Sequence, residues 1–272
     1  MNSIARILGK CLKRLERWCA FTHLNPLATL YVNLRVLPLR EAMRFPIFAY
    51  GWPHFIDLSG TVRFTCPVRR GLVRLNVVDL APSQRGSSLE LAMQGDVVFG
   101  GKALVRSNTK IYVDHGARLV IGDNLRLGAG IIINCHSLIE IGEGVRIGHR
   151  SQLLDSNLHY MLDLNRRRVA PLRKRIVIGP HCWLTNSVTV YGGAVVPPYS
   201  IVVSGSMLNK DLSGLGQDCI LGGSPCRVIA SGFRLVNNYV KEHELDRFYR
   251  EYPQGDFPVE DPINENDWFI NK

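Results

Sequence analysis

The chain has 272 residues, 46% of them apolar, and a formal charge of +10, which is length and apolar content for one large domain with appendages and a buried core. No apolar run approaches the roughly eighteen residues of a spanning helix, and Lys10, Lys13, Arg14, Glu16 and Arg17 interrupt residues 1–22, so neither a membrane span nor a general export signal is expected. The seven cysteines at 11, 19, 66, 135, 182, 219 and 226 form no Cys-x-x-Cys pair and no disulfide framework, which points to a reducing cytoplasm.

In chain order, residues 1–45 come first, with eight basic residues against Glu16 and Glu41, a net of +6. Ile4, Ile7, Leu8, Cys11, Leu12, Leu15 and Trp18 recur at helical spacing, which predicts a basic amphipathic helix. Such a helix either packs on the domain or a neighbouring subunit, or makes peripheral contact with an anionic membrane, here the inner membrane. Residues 46–95 read as short β-rich runs cut by Gly and Pro, an irregular β lead-in to a larger sheet.

From residue 101 the text repeats. In rows of twenty, residues 101–160 align Val113 with Ile133 and Leu153, Leu119 with Ile139, and Ile121-Gly122 with Ile141-Gly142. Inside the rows the step is six: Ile121, Leu127, Ile133, then Ile141, Ile147, Leu153. After an interruption it resumes at Ile178, Leu184, Val190, Val196, Val202 and Leu208, with Cys182, Val188, Ala194, Ser200 and Ser206 four residues beyond each of the first five. A bulky aliphatic every sixth residue and a small or β-branched one at the turn predict a mainly β fold, a parallel β-helix of three flat strands per turn over residues 96–231. The interruption, residues 160–176, is a strongly basic excursion loop leaving the coil just after His159, able to shelter a site or simply to be a solvated charge run. Residues 232–272 open with a helical pattern (Phe233, Val236, Tyr239, Val240, Leu245, Phe248, Tyr249) and end in an acidic tail, so a short C-terminal helix capping or flanking the coils is expected.

His159 is the residue that breaks the pattern, because it falls in the row position of Leu119 and Ile139. An imidazole in an aliphatic column is either a structural corner histidine or a base suited to taking a proton from a hydroxyl. Asp155 either orients His159 or caps a turn. Asn134, in the row position of Asp114, serves either an acceptor or developing oxyanion, or the backbone of the coil.

The repeats, the segment Leu154-Asp155-Ser156-Asn157-Leu158-His159-Tyr160, Trp183 and the closing Gly223-Ser224-Pro225-Cys226-Arg227-Val228-Ile229 resemble the hexapeptide-repeat O-acetyltransferases of the sugar and capsular polysaccharide type. The likeness covers about residues 95–232. It implies a left-handed β-helix, acetyl-CoA as acyl donor, no metal, a sugar hydroxyl as acceptor and a homotrimer with sites between subunits. It places the catalytic base at His159, in a segment whose Asp155 and Asn157 match the family's motif; with that base there, Asn157 and, in the first of its two readings, Asn134 are expected toward the acceptor. The pantetheine arm is expected at Ser204, Gly205 and Ser206, the nucleotide phosphates at Lys210 and Arg227, and an acetyl or acceptor pocket wall at Trp183. Pro197-Pro198, Cys226 and the long basic loop depart from the family pattern, which unsettles the acceptor specificity.

Three other readings compete. An amino-sugar N-acyltransferase uses the same base and donor, and a non-catalytic β-helix scaffold needs neither. A zinc enzyme would need His136, His159 and His181 to converge on one ion, yet the sequence has no His-x-x-x-x-His pair. Nucleic acid is not expected as a partner, since the basic residues carry no interleaved aromatic platform.

Overall fold

The computed structural model describes residues 23–78, 88–260 and 262–269, so the helical pattern of residues 4–18 lies outside the described residues. Each six-residue step forms one short strand, and the strands climb in threes. The first sheet stacks Ile47–Ala49, Val73–Val77, Ala103–Arg106, Leu125–Leu127, Arg146–Ile147, Trp183–Leu184, Ile201–Val202, Cys219–Gly222 and Arg227–Ser231. The second stacks His54–Asp57, Glu90–Met93, Lys110–Val113, Ile132–Cys135, Gln152–Leu154, Thr189–Tyr191 and Met207–Leu208. The third stacks Thr61–Phe64, Asp96–Phe99, Arg118–Ile121, Leu138–Ile141, Ile176–Ile178 and Val195–Val196. Paired strands are one turn apart and parallel, except that Arg227–Ser231 turns back antiparallel on Cys219–Gly222. The chain is a left-handed parallel β-helix.

The repeat explains this architecture in energetic terms. Ile178, Leu184, Val190, Val196, Val202 and Leu208 are all buried, each stabilising the coil by about 1.5–3 kcal/mol. The corner residues Cys182, Val188, Ala194, Ser200 and Ser206 are buried too. Serine is tolerated at two of these corners because its hydroxyl bonds a carbonyl of the same turn: Ser200 Oγ donates to Pro197 O at 2.8 Å and Ser206 Oγ to Val203 O at 2.6 Å. The Ile-Gly starts mark where successive coils touch, since a Cβ on Gly142 would stand 2.5 Å from the backbone nitrogen of Pro180.

The coil begins earlier than the repeat suggested. Residues 46–95 are not a lead-in: their strands occupy the same three sheets from Ile47 onward. The six-residue step is masked there by longer corners, although Val62, Val73, Leu91 and Val97 are buried like the later columns. Register also differs from the rows of twenty. The corner after Val113 holds residues 114–117, whereas the next coil turns on His136 and Ser137; Ile133 therefore pairs with Ile111, and Val113 with Cys135. Ile139 pairs with Ile176, so the Leu119–Ile139 column continues at Ile176, and His159 stands in the excursion rather than on the coil.

Two helices close the molecule. Pro26–Val36 is capped by Asn25, whose side chain accepts from Ala28 N, and turns Thr29, Val32, Asn33 and Val36 inward. Val32 and Val36 join the buried cluster of Ile47, Val62 and Val73, and the Asn33 amide bonds the main chain of Ile47 in both directions at 2.6 and 3.2 Å. This helix plugs the N-terminal end of the coil. At the other end of the chain, the helix begins at Tyr239 rather than near Gly232, because Asn238 caps it by accepting from Val240 N and Lys241 N. It flanks the first sheet, where Arg126 meets Tyr239 and Arg146 meets Asn237 and Glu242.

Candidate active site

The site is built at the corner between the second and third sheets, after Gln152–Leu154. There the chain departs as an excursion and returns at Ile176–Ile178. Its outer part is a short hairpin of Leu162–Asp163 with Arg168–Val169, whose turn Asp163 holds by accepting from the amides of Asn165 and Arg166 at 3.0 and 2.9 Å. The neck is closed by an antiparallel bridge between Ser156 and Arg173 and by the Lys174 amide on Asp155 O at 2.9 Å. Gly192 of the following coil runs directly beneath: a Cβ there would come 2.6 Å from Asp155 O and 2.8 Å from Lys174 O, so only glycine fits.

Against this neck lies a cleft of about 270 Å³, lined by Asn157, His159, Lys174, Tyr191, Met207 and Asn209 among others. His159 is exposed, and its main-chain amide leans on Asn157 Oδ1 at 3.4 Å. Its ring has no hydrogen-bond partner among the described residues, which leaves both nitrogens available to a ligand. Asp155 is fully buried and faces the other way, its two carboxylate oxygens accepting from His136 N at 2.8 Å and Ser137 N at 2.7 Å. Of the two tasks open to it, the geometry gives Asp155 the cap: it locks the corner of the preceding coil and does not touch the His159 ring.

Across the excursion is a second, more open pocket of about 510 Å³, whose lining includes Tyr112, Asp114, Asn134, His136, Leu158 and Arg173. His136 is buried, 3.2 Å by Nδ1 from Asp114 Oδ2, with the Tyr112 ring centroid 5.3 Å from its own. Arg173 approaches the same carboxylate oxygen at 3.4 Å. Burial by itself would raise the Asp114 carboxyl, but hydrogen bonds from His136 and the His115 amide and the charges of His136 and Arg173 outweigh it and hold the group below its ordinary value. One outward ladder on the second sheet, Ala92–Tyr112–Asn134–Leu154–Tyr191, runs past both pockets.

The remaining predicted residues fall in two places. Ser204, Gly205 and Ser206 form the corner between Ile201–Val202 and Met207–Leu208, with Ser204 Oγ 3.1 Å from Thr185 Oγ1. Lys210 and Arg227 are exposed on the last coils, and Lys210 acts electrostatically on the Cys226 thiol. Met207 and Asn209 connect this corner to the His159 cleft. Trp183 is not among them: it lies on the first sheet between Arg146 and Ile201 and does not line the cleft. His136, His159 and His181 sit apart, the last stacked on Tyr199 at 4.9 Å, and no group of three metal-ligating side chains forms among the described residues. Sequence reasoning missed Tyr191, Lys174 and Asn209. The available signal for Tyr191 was its place one residue after the buried Val190, which points it outward.

No family model matches the chain. It is 24% identical to the galactoside O-acetyltransferase of Escherichia coli (strain K12) over 139 residues, which is 50% of this chain and 66% of that protein. It is also 24% identical, over 119 residues and 43% of its length, to a putative acetyltransferase of Saccharomyces cerevisiae. The chain spans less than two thirds of the curated relatives it matches, 58% of one and 66% of the other. Among solved structures, the polySia-specific acetyltransferase NeuO covers 76% of this chain and 99% of its own, at 18% identity and a TM-score of 0.44. The polysialic acid O-acetyltransferase OatWY covers 73% and 100%, at 17% identity and a TM-score of 0.45. No helix of the described residues is long and apolar enough to cross a membrane.

Proposed function

We propose that this protein transfers an acetyl group from acetyl-CoA to a hydroxyl of a sugar, in a cell-surface or capsular polysaccharide or its precursor. The observation that carries the reading is the cleft that an exposed His159, its ring without a hydrogen-bond partner among the described residues, lines together with Tyr191, Lys174 and Asn209 at the neck of the excursion. The likeness to acetyltransferases supports it. In this reaction His159 takes the proton of the acceptor hydroxyl as its oxygen attacks the thioester carbonyl; collapse of the tetrahedral intermediate expels the coenzyme A thiolate, which takes the proton back from the imidazolium. Asn157 and Asn134 contact the acceptor, one in each pocket along the outward ladder. The donor arm lies at Ser204, Gly205 and Ser206, with Lys210 and Arg227 toward its phosphates. The working form is a homotrimer in the cytoplasm.

The test is His159→Ala, assayed by thiol release from acetyl-CoA with a panel of sugars. Turnover falls by roughly 10² to 10⁴, the usual worth of a general base, and the Tm stays put because the ring is exposed. Retention of most of the turnover places the base elsewhere.

A further inference from the structure

The helix Pro26–Val36 is apolar on both faces. Its inner face is consumed by the end of the coil, as described above. Its outer face carries Leu27, Leu30, Tyr31 and Leu34, at positions i, i+3, i+4 and i+7, exposed by 70%, 41%, 52% and 47%. Leu39 and Met43 extend the stripe at 67% and 61%. An end cap of a coil normally turns a polar face to water, and a contiguous exposed apolar stripe marks a contact surface.

Charge selects the partner. Exposed Arg35, Arg40 and Arg44 rim the stripe, and Arg69 and Arg70 adjoin it through the Arg44 contact with Val68 O and the Gly71 amide on Phe45 O. Against these five cations the same end offers Glu41 and Asp57, both partly covered. A second copy docked end to end would set arginines against arginines. Residues 1–22 bring five more cations and one acid, so packing them on this face would also oppose like charges. An anionic lipid surface supplies both an apolar layer for the leucines and the counter-charge for the rim. We propose that the outer face of Pro26–Val36, continued by Leu39 and Met43, is a membrane-docking platform that seats the N-terminal end of the coil on an anionic bilayer. This platform stands independently of the acetyl-transfer reading, since none of its residues lines the His159 cleft.

The experiment is co-sedimentation of the full chain with phosphatidylglycerol-containing or pure phosphatidylcholine vesicles, for the wild type, Leu30→Asp/Leu34→Asp and Arg40→Glu/Arg44→Glu. Wild type binds the anionic vesicles and is released by salt, as expected when the Debye length falls below about 10 Å. The leucine variant loses at least roughly tenfold in partition, the scale of withholding one buried leucine from lipid, and the arginine variant loses about fivefold per charge removed. Both keep the wild-type circular dichroism spectrum, because the substituted side chains are exposed. Equal binding to neutral and anionic vesicles overturns the proposal, as does wild-type binding by the leucine variant. Lipid-free self-association in sedimentation velocity that Leu30→Asp/Leu34→Asp abolishes also overturns it, in favour of a second copy as the occupant.

Discussion

Asp155 offers the clearest separation of architecture from chemistry. Its carboxylate is fully buried and accepts from two backbone amides at 2.8 and 2.7 Å. Asp155→Ala strands both N–H groups, which have no other acceptor among the described residues, and each stranded group costs about 1–3 kcal/mol. Relief from holding a buried charge offsets part of this, leaving a loss of roughly 3 kcal/mol. For a domain of this size each kcal/mol lowers the Tm by about 2–4 °C, so the midpoint drops by about 6–12 °C. Asp155→Asn keeps one accepting oxygen but turns its amide hydrogens toward the second N–H, and falls between the alanine variant and wild type. Thermal unfolding by circular dichroism and steady-state acetyl transfer below both midpoints are measured side by side. Turnover is expected to fall by no more than about tenfold, through loosening of the neck that Asp155 O and Lys174 N close. An unchanged Tm with turnover as low as that of His159→Ala would refute the capping role and make Asp155 part of the chemistry.

Two further outcomes follow from other parts of the coil. Lys210→Ala and Arg227→Ala raise the KM for acetyl-CoA more than that for the acceptor; steady-state kinetics with either substrate varied checks this, and a shift confined to the acceptor moves both residues out of the donor site. Burial pushes the Cys135 and Cys182 thiols up to about 12, well above the roughly 8.5 of a free cysteine. The folded state therefore holds protons that the unfolded chain releases, so stability is unaffected below about pH 8.5 and falls from there toward 12, by about 1.4 kcal/mol per pH unit for each thiol. Urea midpoints at pH 8 and 10 report the slope, and Cys182→Ala makes it shallower.

The exposed Leu27, Leu30, Tyr31 and Leu34 were legible in retrospect as an apolar i, i+3, i+4, i+7 series, yet Thr29, Val32, Asn33 and Val36 give the same helix a second inward face. A sequence pattern marks both series and cannot tell which one meets the coil. Only the packing against Ile47 separates the plug from the free stripe.

The sequence alone determined the coil and its core, because burial of one aliphatic in six is a local period: Ile178 through Leu208 satisfy it strand by strand without reference to distant residues. It also singled out His159, but as a member of the Leu119–Ile139 column, and that column continues at Ile176. Tertiary structure decided the rest of the site. Outward side chains such as Tyr112, Asn134 and Tyr191 obey no repeat, and which of them share a cleft depends on register between coils. That register is set by corner length, and the longer corner at residues 114–117 moved Tyr112, rather than Asp114, beside Asn134. In the same way Asp155 could be read beside His159 from its place in the chain, but its carboxylate is claimed by the amides of His136 and Ser137, which only the stacking of one coil on the next brings within reach.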